Sequence, residues 1–225
     1  MNNMYYFYQN PYIPVYHPLM PRNLPMDAYY PPMGQPAYPI QQQGHCISQA
    51  EVDYRNEMRS LWEEHVAWTR MAIISLVFDL PDIEFVLKRL LRNATDMGNM
   101  IRRLYGDLVA QTYTDLIQQH LLIAADLVKA AIAGDQQAVA EADKKWHENA
   151  DEIAVFLNSV NRFLPEEVVR DMFYEHLALT KQEAVAMINK DFQKDIDVYD
   201  AIEKQARQMA DAISDAMVQA YPSVF

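Results

Sequence analysis

Three of the four histidines in the helix-forming part of the chain fall on apolar stripes, and two of these three directly follow a glutamate. A further glutamate precedes an asparagine, so a carboxamide takes the place of the imidazole in that pair. Imidazole and carboxylate groups are the ligand types that iron, manganese and zinc prefer in proteins. The residues with this potential are His65, His120, His176, Glu64, Glu148, Glu175 and Asn149. They predict a metal site only if the helices bring them to one level.

The elements that carry these residues are predicted from composition and capping signals. From Ser48 onward the chain is rich in Ala, Leu, Met, Glu and Lys, which are good helix formers. Ser48 and Glu51 have the spacing of a capping box, and Gly134 followed by Asp135 ends one helix and starts the next. The predicted helices cover about residues 48–78, 107–133, 136–160, 165–189 and 192–220, with one or two short helices at 81–106. The fold class is therefore all-α, an up-and-down bundle of four to five long helices.

An internal hairpin repeat orders these helices. Trp62 precedes Pro81 by 19 residues and Trp146 precedes Pro165 by 19, which is an offset of 84. Residues 119–135 match residues 175–191 at an offset of 56. The first offset pairs His65 with the asparagine, and the second pairs the other two histidines.

Distances along the chain predict that the histidines lie at one height. His120 lies about 14 residues before the turn at Gly134, and Asn149 lies about 14 residues after it. Residues equally far from a turn are at equal height in antiparallel helices. The histidines point inward on apolar stripes, and the adjacent glutamates, turned by about 100°, fall at the helix flanks. The last helix shows no polar residue at that height, so the other four long helices are expected to carry the layer.

Two interpretations of the layer stay open. One is a bound transition metal, although the Glu-x-x-His spacing of dinuclear carboxylate sites is missing. The other is a structural layer in which the histidines hydrogen-bond to Asn149, Thr69, Thr180 and Glu183 and fix the register of the helices.

Composition narrows the other functional classes. The net charge of −12 repels phosphate backbones, so nucleic acid is not an expected partner. The longest strongly apolar run, residues 71–78, is far shorter than the roughly 20 residues that span a bilayer, so no membrane contact is expected. A secretory signal pattern is lacking, and Cys46 is the single cysteine, which favours a cytoplasmic protein. No nucleophile with a general base and no phosphate loop can be named.

Residues 1–45 differ from residues 46–225 in composition. They hold nine of the twelve prolines and eight of the fourteen tyrosines, with only two charged residues. This density of proline excludes helix and sheet and predicts a disordered arm. Its tyrosines suit adhesion, through self-association or contacts with coat proteins, and a flexible tail without a role is the alternative. Such Tyr/Pro-rich arms with a "QQQ" tract resemble segments of bacterial spore-coat proteins, which implies a spore-associated location.

Four stretches carry a wider resemblance: "LWEEHVAWTRMAIISLVFDLPD", "HLLIAADLVKAAIAGD", "NADEIAVFL" and "EHLALTKQEAV". Together they resemble a family of small helical proteins from spore-forming Gram-positive bacteria, over about residues 57–221. Members are often labelled acetylglutamate kinase. Amino-acid kinases need a parallel sheet with glycine-rich turns, and three glycines in the helical region do not supply one. The resemblance implies an all-helical fold and transfers no catalytic residue.

Overall fold

The computed structural model describes residues 47–225, so the predicted arm at 1–45 lies outside the described residues. This part of the chain is built from helices and contains no strand, which confirms the all-α prediction. The five helices are α1 (Gln49–Val77), α2 (Ile83–Ala133), α3 (Gln136–Val160), α4 (Glu166–Ile188) and α5 (Phe192–Ala220).

The helix boundaries follow from the capping residues. The Ser48 hydroxyl accepts a hydrogen bond from the Glu51 amide at 3.0 Å and starts α1. The Asp135 carboxylate does the same for the Ala138 amide at the start of α3, also at 3.0 Å. Gly134 ends α2 in the left-handed conformation, with φ of 73°, which a glycine adopts without a Cβ penalty.

The boundary predicted between residues 81–106 and the helix at 107–133 is confirmed, because α2 consists of two helical segments that meet at a kink at Gly106. Only the predicted shortness of the first part is wrong, since it runs as one segment over 83–105. Gly106 has φ of 80° and ψ of 179°, a conformation that is essentially restricted to glycine. Gly98 lies inside a continuous helix and does not break it. The region is therefore a long first segment of α2, and the bundle contains six helical segments.

The segments form a closed bundle. Each helix packs against the next along the chain, and α1 also packs against α5. In addition α4 contacts both α1 and α2, so these helices meet in the interior. Large side chains that are less than 2 % exposed fill the centre, among them Trp62, Trp146 and Phe173. All five helices thus supply side chains to the interior.

The two segments of α2 approach each other closely at Gly98. A Cβ atom at this position would overlap the Thr114 hydroxyl and would lie 2.8 Å from the backbone oxygen of Ala110. Only a residue without a side chain fits there. Gly98 therefore allows the first segment to lie directly against the second.

By length and composition alone, α2 could also cross a membrane. A core helix of a bundle has the same composition, and α2 supplies many buried residues here.

Candidate functional site

The three histidines of the predicted layer lie together in the core. The ring centroids of His65 and His176 are 5.6 Å apart, and those of His120 and His176 are 6.4 Å apart. Each of the three residues is at most 3 % exposed. The layer that equal chain distances predicted is therefore present.

Each imidazole is hydrogen-bonded through Nδ1 to a side-chain amide of the next helical segment. The three amides are buried as well. The bonds join His65 to Asn93 at 3.2 Å, His120 to Asn149 at 2.9 Å and His176 to Gln205 at 3.2 Å.

The other end of each amide is fixed by the backbone. Its NH2 group donates to the carbonyl oxygen of the residue four positions before the histidine. These acceptors are Leu61 at 2.9 Å, Leu116 at 3.1 Å and Met172 at 2.9 Å. Because the NH2 group is used in this way, the amide oxygen faces the ring, and Nδ1 of the imidazole must carry the proton. Nε2 of each ring then holds a lone pair.

These pairs reveal the true repeat of the molecule. The histidines follow one another at intervals of 55 and 56 residues, and the amides at intervals of 56 residues. Three copies of one helical hairpin result, each with a histidine on its first helix and an amide on its second. The predicted offset of 84 is wrong as a repeat unit, because it matches a histidine-bearing helix with an amide-bearing one.

Two residues of the layer, Asn93 and Gln205, were not predicted from the sequence. Asn93 lies in residues 81–106, which are not among the four long helices expected to carry the layer. The last helix was expected to have no polar residue at this height, and Gln205 of α5 contradicts that expectation. Extending the offset of 56 from Asn149 in both directions leads to both residues.

The glutamates do not join the layer. The Glu64 side chain is 43 % exposed and pairs with Arg89 at 2.6 Å, and that of Glu148 is 59 % exposed with Lys144 at 3.5 Å. Glu175 is exposed too. A step of one residue turns the side chain by about 100° around the helix, and in this bundle that step leads out of the core.

The hydrogen-bond partners expected for the histidines differ in part. Asn149 is confirmed. The hydroxyls of Thr69 and Thr180 donate to the backbone oxygens of His65 and His176, at 2.8 and 2.9 Å, and not to the rings. Glu183 instead pairs with Arg70.

Burial keeps the imidazoles neutral. It lowers the pKa of His65 to about 3 and that of His176 to about 4, against a weaker upward effect of the amide hydrogen bonds. Burial, followed by repulsion from the other two imidazoles, also lowers the pKa of His120 well below its usual range. An uncharged layer is the state compatible with this core.

Aromatic rings surround the layer. Trp62 lies 5.5 Å from His65, and Trp146 lies 5.2 Å from His120, between ring centroids. Among the described residues, both indole Nε1 groups and the Nε2 atom of His120 are buried without a hydrogen-bond partner.

Next to the layer lies an apolar cavity of about 30 Å³, lined in part by Thr69, Trp146 and Thr180. A cavity needs about 10–15 Å³ to hold one water molecule, so this one is too small for a metabolite.

The predicted metal ligands do not form a ready ligand set. Within residues 47–225, no group of three or more His, Cys, Asp or Glu side chains is arranged so that it could hold a metal ion. The structure brings together His65, His120, His176 and Asn149, and it leaves out Glu64, Glu148 and Glu175.

A second buried polar cluster lies between α1, α4 and α5. Arg70 donates from Nη1 to Glu183 at 2.6 Å and to Asp195 at 3.0 Å, and from Nη2 to the other oxygen of Asp195 at 2.5 Å. Both carboxylates are 1 % exposed. The guanidinium also lies 4.8 Å from the ring centroid of Tyr199. One cation thus serves two buried carboxylates.

Comparison of the chain with protein-family models, with curated proteins and with solved structures gave no match.

Proposed function

We propose that residues 47–225 form a non-enzymatic helical module of a structural or interaction protein, whose histidine–amide layer has a structural role. The observation that carries this proposal is the use of every imidazole of the layer in an intramolecular pair. Each amide in turn holds the backbone of the helix it faces. Such pairs are satisfied at one register only, because a slip by one residue would leave buried polar groups without partners.

The Tyr/Pro-rich arm, residues 1–45, is the part that attaches this module to an assembly such as a spore coat. Its tyrosines and its low charge support this role, since aromatic rings with a polar tip are favoured where surfaces adhere. The compositional resemblance to spore-coat segments points the same way.

Deletion of residues 1–45 tests the proposal. We expect the truncated protein to keep its helical circular dichroism and its urea midpoint, and to move from the insoluble coat fraction to the soluble fraction. A matched control retains the length of the arm but replaces its eight tyrosines with serine. If both variants partition like the wild type, the arm does not attach the protein.

A second candidate function is the binding of one transition metal ion, iron, manganese or zinc, by the three imidazoles without the glutamates. The observation that favours it is the tautomer: metal-binding histidines commonly donate one ring N–H to a protein oxygen and use the other nitrogen as the ligand. Kinase activity has no such support, because it needs a parallel sheet and residues 47–225 contain no strand.

Elemental analysis decides between the two candidates. Protein purified without chelator, and protein reconstituted with each metal, would contain close to one ion per chain if the second candidate is right. The variant His120→Ala/His176→Ala would then lose it, and Glu64→Gln, as the control, would keep it. Metal-free protein in every preparation rejects the second candidate and leaves the first intact.

A further inference from the structure

The buried cluster of Arg70, Glu183 and Asp195 contains two carboxylates and only one cation. Glu183 and Asp195 together carry two negative charges when ionised, and Arg70 supplies one positive charge. Asp195 accepts hydrogen bonds from both terminal nitrogens of the guanidinium, Nη1 and Nη2, whereas Glu183 accepts only from Nη1. Of the two carboxylates, Glu183 therefore has the weaker interaction with Arg70. A buried charge without full compensation is costly, and protonation removes that cost.

The neighbours of Glu183 do not correct the imbalance. Lys181 is two residues away but pairs with Asp143 of α3 at 2.7 Å. The Arg70 guanidinium lies over the ring of Tyr199 on α5. Two further carboxylates lie near Tyr199, Glu203 of α5 and Glu63 of α1. Arg207 of α5 lies 3.5 Å from Glu63 and 3.2 Å from Glu203, so this cation pairs with those two glutamates and not with Glu183. Among the described residues, α2 adds no charged partner to the cluster.

We propose that Arg70, Glu183 and Asp195 form a pH-sensitive clasp, in which Glu183 takes up one proton near neutral pH and thereby tightens the attachment of α4 and α5 to α1. Arg70 and Asp195 remain ionised and keep their bidentate pair in both states. The protonated Glu183 still accepts the Nη1 hydrogen bond through its carbonyl oxygen. Below neutral pH the cluster is neutral overall, and above it a net negative charge stays buried between three helices.

The sign of the effect follows from linkage. Burial raises the pKa of Glu183 to about 7, and Arg70 only partly opposes this. Since an exposed glutamate has a pKa of about 4.3, the folded protein binds one more proton than the unfolded chain between these values. The stability that this group contributes is therefore complete at acidic pH and is lost as the pH rises towards 7.

The test compares full-length wild type with Glu183→Gln, which resembles the protonated side chain. We expect the folding constants of the two proteins to differ least at the acidic end of the range, at pH 5. The ratio of the variant to the wild type should then rise by up to about tenfold per pH unit and level off above pH 7.5. The three histidines of the layer also make the stability depend on pH below about 6.5, but they contribute equally to both proteins and cancel in the ratio. A ratio that stays constant from pH 5 to pH 8 overturns the proposal.

Two further measurements make the result specific. In an Asp195→Asn background the guanidinium is free for Glu183 although the side chain stays buried, so the same substitution should produce a smaller pH-dependent ratio. A ratio that rises as steeply as in the wild-type background contradicts the shared-cation argument. If Glu183→Gln does not fold, the wild type labelled with ¹³C at its glutamate carboxyls remains informative. One glutamate resonance titrating near pH 7 supports the clasp, and titration of every glutamate carboxyl below pH 6 rejects it.

Discussion

Asn149 is held by α2 at both ends of its amide: Oδ1 lies 2.9 Å from Nδ1 of His120, and Nδ2 donates to the Leu116 carbonyl at 3.1 Å. We expect His120→Leu and Asn149→Leu each to lower the free energy of unfolding by about 1–3 kcal/mol, because each leaves a buried polar group alone. The double variant should lose less than the sum, because no unpaired group remains. Urea unfolding measures the cycle.

The matched control is the combination of His120→Leu with Gln205→Leu. These residues belong to different hairpins and are not hydrogen-bonded to each other. Their effects should add. Additive losses in the His120/Asn149 cycle as well would show that the pair contributes no more than two separate core side chains.

The close approach at Gly98 predicts a strong effect of a single methyl group. Gly98→Ala would force the two α2 segments apart, since the new Cβ meets both the Thr114 hydroxyl and a backbone oxygen. Overpacking of this kind costs about 1–3 kcal/mol and sometimes more. The midpoint of thermal unfolding measures the loss.

Gly134→Ala is the control for Gly98→Ala, because Gly134 has a positive φ of 73° and nothing within 4 Å of its added Cβ. It tests backbone strain without a clash, at a cost of about 1 kcal/mol. Equal stability of Gly98→Ala and the wild type would mean that the segments are packed less tightly than described.

The histidine layer predicts sensitivity to acid. The pKa values of the three imidazoles are lowered in the folded bundle. Below the ordinary histidine pKa of about 6.5, the unfolded chain therefore binds more protons than the folded one. The stability that the layer provides is complete above that pH and is lost as the pH falls towards the folded values of about 3 and 4.

Urea unfolding between pH 7 and pH 4.5 measures this loss. In His176→Gln the free energy of unfolding should fall less steeply as the pH falls. The difference in slope should correspond to the uptake of about one proton fewer on unfolding. The exposed side of the bundle offers a control in Gln111→His, which adds an imidazole that is not buried. A wild-type slope unchanged by His176→Gln would contradict the assignment of the acid effect to the layer.

Arg70 should be far more important than an exposed arginine. Arg70→Met leaves Glu183 and Asp195 buried without a cation, and loss of one partner from a buried ion pair costs about 3–5 kcal/mol. Arg59, which pairs with Asp211 on the surface, offers the control; Arg59→Met should cost about 0–1 kcal/mol. Equal losses measured by urea unfolding at pH 8 would mean that the cluster is not effectively buried.

The sequence predicted the bounds of the helices better than which helices form the repeated hairpins. The bounds expected for α3, 136–160, are those observed, because Gly134 and Asp135 define its start with specific cap geometry. The start of the second α2 segment at 107 was also predicted correctly, because the Gly106 backbone leaves the helix. Whether residues 81–106 form one helix or two stayed open, because Gly98 and Gly106 look alike in the sequence. A helical glycine selected for close packing carries no local signal that distinguishes it from a helix end.

The layer itself was predictable from equal chain distances, but its chemistry was not. Periodicity places His65 and His120 inside without specifying what they contact. Their partners lie 28 and 29 residues away, on the following segment. Which nitrogen is bonded depends on the reach of an amide across two helices, and that distance is set by packing.

The contact of α1 with α5 makes the order of the three hairpins cyclic. Tyr54 near the start of α1 lies 4.9 Å from the ring of Phe225, so both ends of the bundle chain are at the same end of the molecule. A circularly permuted protein, opened at Gly134 with a short linker from Phe225 to Ile47, would retain every histidine–amide pair. The packing of the hairpins therefore does not depend on which of them comes first in the chain.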